Sequence, residues 1–250
     1  MNIIMNEKEF ALEAIESKSL GDSPSKVART LRILAKYYHT QGYKKKQIVE
    51  LLKEAVLRND CNAVLSMWEG VIENVVKSTK DKILVEVDAV YVTKEELETC
   101  RQLESKQAQR VLFTAICLAR YENAVRGDAS GWVNVRYKDI FSMANVAVSK
   151  DRQCDIMYIL VSAGLISLSG KATSTSFKVE CLDDSGTHTL CVDDFRNLGN
   201  QYLMYCGEPY FKCSECGLVV RKKSNAQKYC KDCSAEVNRT KTRERQRTDN

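Results

Sequence analysis

Four cysteines near one end constrain this chain more than anything else in it. Two residues separate Cys213 from Cys216, and two separate Cys230 from Cys233. Thirteen residues lie between the pairs. A two-residue gap lets one tight turn aim both sulfurs at a single point. Gly217, directly after the first pair, can take the left-handed backbone such a turn needs. Thiolates suit the borderline softness of Zn2+, and four of them complete its tetrahedron. With every position taken by protein, the expected ion is single and structural. A redox C-x-x-C is the alternative, but the strand-and-helix setting of a thioredoxin motif is missing.

The residues between the pairs read as a small hairpin, from Leu218-Val219-Val220 through Arg221 to Asn225. From Cys230 onward the sequence is helix-compatible through Arg247. A knuckle, a hairpin and a second pair at a helix start resemble a treble-clef zinc finger. The run from Ser224 to Cys233 is similar to the C-terminal zinc fingers of many uncharacterised bacterial and phage proteins. The similarity covers roughly residues 211–247. It implies nucleic-acid binding.

Charge points the same way. Between Cys206 and Asn250 there are eleven Lys or Arg against six Asp or Glu. That excess equals the net charge of the whole chain, +5. Cations crowded at one end suit a segment that meets a polyanion. The expected phosphate contacts are Arg221, Lys222, Lys223, Lys228, Arg239, Lys241, Arg243, Arg245 and Arg247. Double-stranded DNA is the favoured partner and RNA the alternative. A role in transcription or replication follows from that reading. A protein partner is the other possibility: the chain would then be an adaptor or an inhibitor.

The rest reads as mainly α with small β hairpins. Three domains are expected: an N-terminal helical bundle over 1–80, a winged-helix-like domain over 81–200, and the four-cysteine zinc finger with its basic helix over 206–250. Ser23-Pro24 is a helix start, and Gly42 fits a helix end. Val27, Leu31, Leu34, Ala35 and Tyr38 share the face between them. Further helices are expected over about residues 45–58 and 63–78, the last with Val64, Trp68, Val71, Ile72 and Val75 inward. Phe10 to Ile15 can add a short one. Lys26, Arg29, Arg32, Lys36 and Lys44 to Lys46 read as wet helix faces or a second phosphate-contacting surface.

Alternation of Ile83, Val85, Val87, Val90 and Val92 predicts a strand. Thr93 and Glu96 form a capping box for the next helix. After a long helix over about residues 107–124 come a strand, two helices, a strand and a hairpin. This order resembles a winged helix over roughly residues 105–195. The phrase from Ile159 to Ile166 looks like the end of its third helix. Readers of DNA in that family carry a basic third helix. Here Asp151 and Asp155 offset Lys150 and Arg152, which fits a protein contact instead. The turn Asp183-Asp184-Ser185-Gly186 is expected to pair residues 177–182 with 187–192, so that Phe177 faces Val192 and Cys181 approaches His188.

With only two histidines, Cys-His or Ser-His catalysis has almost no material, and no glycine-rich phosphate loop occurs. The chain is expected not to be an enzyme. No apolar run reaches membrane-spanning length and the start lacks a signal pattern. Eleven cysteines, an odd number, suit a reducing, cytoplasmic setting.

Overall fold

A computed structural model describes residues 3–170 and 175–248, with side chains as far as Arg243. The chain forms two compact units, Ile4–Asp88 and Ala89–Asn250. The protein is mainly α with small antiparallel sheets.

The first unit has four helices: α1 (Glu7–Ser17), α2 (Pro24–Thr40), α3 (Lys45–Asn59) and α4 (Leu65–Ser78). Leu31, Leu34, Ile48, Leu52 and Ile72 are buried at its centre. The short first helix is a full member, because Ala11 and Ala14 join that core. On α4 the inward line is Ile72, Val75 and Val76, with Trp68 packed against it. Val64 and Val71, expected inside, are exposed. Val64 and Val71 lie at one margin of the apolar face of α4, and the buried side is turned toward Ile72 and Val76. Lys36 is no wet-face cation either. Its Nζ lies 2.7 Å from Glu7, whose carboxylate also accepts from the Val85 amide. Replacing the fully buried Leu52 in Leu52→Ala is expected to cost about 2–5 kcal/mol, read as a lower urea midpoint with unchanged slope.

The expected strand over 83–92 forms only at its end. Leu84 turns inward and Ile83 is 85% exposed, so the assumed alternation fails at its start, while Val85 and Val87 stay half-buried. Residues 85 and 87 instead bond to the backbone of Glu7 and Met5.

The second unit begins with β1 (Val90–Thr93) and α5 (Lys94–Arg101). The Thr93–Glu96 capping box forms as expected. The next helix, α6 (Lys106–Arg126), is buried on all sides from Val111 to Ala119, as a helix apolar all round should be. Around it lie β2 (Trp132–Val133), α7 (Tyr137–Met143), α8 (Lys150–Ser162), β3 (Ile166–Leu168) and β4 (Phe177–Val179). Strands β2, β4 and β3 form one antiparallel sheet in that order.

The expected pairing of residues 177–182 with 187–192 does not occur. Phe177 pairs with Val133 and Leu168. The next strand, β5 (His188–Val192), pairs with β1, so that Val192 faces Val90. Alternation shows that a strand is half-buried but does not name its partner. His188 therefore stacks on Tyr91, with ring centroids 5.0 Å apart, and does not face Cys181 across a hairpin.

One helix has no counterpart among the sequence expectations: α9 (Leu198–Tyr205). Its first residues, Leu-Gly-Asn after a left-handed Asn197, read as a turn. The structure explains Gly199, because a Cβ there would stand 1.9 Å from the Ala144 carbonyl oxygen. Gly199→Ala should therefore force α9 off α7 and cost about 1–3 kcal/mol, measurable by thermal unfolding. The remaining elements are β6 (Tyr210–Lys212), β7 (Val219–Arg221) and α10 (Lys231–Thr248).

Candidate metal centre

The β6–β7 hairpin and the first turn of α10 bring the two cysteine pairs together. Gly217 has φ 73°, the left-handed turn its position asks for. The Gly217 amide donates to the Cys213 carbonyl and the Cys213 amide to that of Leu218, which closes the knuckle. The Ser214 amide donates to the Lys228 carbonyl and ties the knuckle to the loop before the second pair.

All four sulfurs of Cys213, Cys216, Cys230 and Cys233 lie within 4.8 Å of one another. None is in a disulfide. The Cys216 and Cys230 sulfurs are 3.8 Å apart. A zinc–sulfur bond of about 2.3 Å makes the tetrahedron edge about 3.8 Å, so the spacing fits one ion at the centre. Cys213 and Cys230 are buried while Cys216 and Cys233 are half-covered. The donor set is closed, soft and anionic, which suits structural zinc and leaves no position for a reacting ligand.

The electrostatics favour an ion. Burial pushes the Cys213 thiol up, but the backbone amides of Cys216, Cys230 and Glu215 outweigh it and bring it to about 6. The Cys230 amide donates to that sulfur at 3.2 Å. The Cys233 thiol is pushed up by the hydrogen bonds it shares with Cys230 and Cys216. Cys233 thus holds its proton beside the Cys213 thiolate, and a dication removes that need. Metal binding releases protons, so affinity should fall as the pH is lowered; zinc titrations at several pH values would measure this.

Residues outside the motif hold the centre in place. Arg196 donates to the Cys216 carbonyl at 2.6 Å and pairs with Asp194. Asn200 on α9 donates to the Val219 carbonyl at 3.0 Å and accepts from Asn145. Lys212 pairs with Asp193. Sequence spacing gave no signal for these supports, because they lie upstream with no repeat or motif.

Arg221, Lys223 and Lys228 are exposed on the hairpin and its loop, and Lys222 is half-exposed beside them. No ion pair joins any of the four among the described residues. Arg239, Lys241 and Arg243 are exposed along α10, and Arg239 lies 3.3 Å from Glu236. The side chains of Arg245 and Arg247 lie outside the described residues. Among the described residues, no helix is long and apolar enough to cross a membrane. No family model, no curated protein and no solved structure matches the chain.

Proposed function

We propose that this is a zinc-containing nucleic-acid-binding protein whose C-terminal finger grips duplex DNA. The carrying observation is the group Arg221, Lys222, Lys223 and Lys228, which has no ion-pair partner among the described residues. Elsewhere in the same unit, Arg120, Arg126 and Lys178 are each paired with a carboxylate. Cations held together without counter-charges repel one another, and a phosphate backbone relieves that repulsion. The zinc centre is the fixed base from which they project.

In this reading the helix, strand, helix, helix and paired strands of α6 to β4 form a winged helix. Its third helix, α8, is not the DNA contact. Tyr158 there is 71% exposed, Leu168 on the adjoining strand is 53% exposed, and Arg152 is paired with Asp155. That face favours a second reading, in which the protein docks another protein through α8.

Affinity for random-sequence duplex DNA, measured by gel shift across a salt series, tests the first reading. Replacing Arg221, Lys222 and Lys223 together with Gln should flatten the log–log salt slope by about 2–3, close to one per lost phosphate contact. A wild-type slope near zero would overturn it. A protein partner recovered at high salt after nuclease treatment, and lost in Tyr158→Ala, would support the second.

A further inference from the structure

The helix α10 has a charge pattern that a simple basic tail does not need. It carries no apolar stripe, and from Asn238 to Arg243 every side chain is exposed. Nothing in the fold therefore dictates which residue occupies which side. Each residue advances about 100° round a helix axis. Going round α10, the order is Lys241, Asn238, Thr242, Arg239, Arg243, Glu236, Thr240 and Val237. Cations thus flank both sides of the neutral face formed by Asn238 and Thr242, and Glu236 lies behind the arginine flank, where it pairs with Arg239. Asn and Thr are poor helix formers at an exposed interior position, so local stability does not account for them.

We propose that α10 reads the major groove of B-form DNA, with Asn238 and Thr242 at base edges and cations on both phosphate walls. The inference rests on the nucleic-acid reading above. A helix with its side chains is about 10–12 Å across, and the major groove is about 12 Å wide. The minor groove, at about 6 Å, is too narrow, and the major groove of A-form RNA is too deep and narrow. A single strand has one backbone and would use one flank only. In the major groove, Arg239 and Arg243 meet one wall and Lys241 the other. An asparagine amide matches the donor–acceptor pair of adenine, and the threonine methyl suits the thymine methyl. The Thr242 hydroxyl already donates to the Asn238 carbonyl at 2.9 Å, which leaves its methyl free for such a contact.

Zinc-loaded full-length protein should select a common sequence from a random pool of DNA duplexes. Asn238→Ala should then reduce preference for that sequence over a scrambled one by about fivefold to a hundredfold, while leaving the salt slope unchanged. Lys241→Gln should weaken both sequences alike and lower the slope by about one. Zinc content and circular dichroism of each variant check that the finger is intact. Methyl green, a major-groove ligand, should compete, and netropsin, a minor-groove ligand, should not. If no sequence is selected, if Asn238→Ala leaves preference unchanged, or if duplex RNA binds as well as duplex DNA, the groove assignment is overturned. Salt-dependent binding would in those cases still uphold the nucleic-acid reading. Absence of binding to any nucleic acid at low salt would overturn both.

Discussion

Cys230→Ser is expected to abolish stoichiometric zinc in the purified protein and to unfold the segment from Tyr210 onward. The Cys230 thiol is buried, its sulfur sits 3.8 Å from that of Cys216, and its amide supports the Cys213 sulfur. The substitution removes one of four thiolate ligands and leaves the backbone amide in place, so its effect reads the loss of the sulfur itself. The hairpin and α10 bury little apolar surface of their own, Val219 being the main contribution. A bound zinc ion would supply most of their folding free energy, on the order of 10 kcal/mol. The first unit has a separate core around Leu31, Ile48, Leu52 and Ile72, so its unfolding transition should survive. A chelator added to wild type should reproduce the variant. Metal analysis and amide hydrogen exchange would read both effects. Protection of β6 and β7 that persists after complete metal removal would refute the assignment.

Arg120→Ala should be among the most damaging changes outside the candidate metal centre. Glu96 is fully buried, and Arg120 Nη2 donates to its Oε1 at 2.6 Å. The other Glu96 oxygen accepts from the Thr93 amide at 2.8 Å in the cap of α5. Arg120 also holds Asp184 and the Asp183 carbonyl, which fixes the segment leading into β5. Removing the guanidinium strands a carboxylate in the core, at a cost of about 3–5 kcal/mol. Chemical denaturation of the single variant measures this. Adding Glu96→Gln to Arg120→Ala removes the stranded charge while keeping a capping acceptor, and should recover a large part of the loss. If the double variant is as unstable as the single one, the buried charge is not the cause.

Local chemistry was legible in the residues; distant pairing was not. Cysteine spacing placed four sulfurs together because two short gaps leave little freedom. The Thr93–Glu96 box and Ser149 marked helix starts because caps act within three residues. The partner of β5 could not be read, since Val192 meets Val90 across about a hundred residues of intervening chain. The helix α9 stayed hidden because Gly199 looks like a turn residue until Ala144 is seen against it. Arg196 and Asn200 brace the finger through backbone carbonyls, which carry no sequence signature.

The β1–β5 ribbon sets an order of events during synthesis. Residues 90–93 leave the ribosome long before residues 188–192, so β1 packs on α5 and α6 with its pairing edge empty while the chain as far as β4 is made. Closing so long a loop is slow relative to forming helices. A nascent chain halted before His188 should therefore hold a helical body with one raw strand edge, the surface a chaperone would meet first.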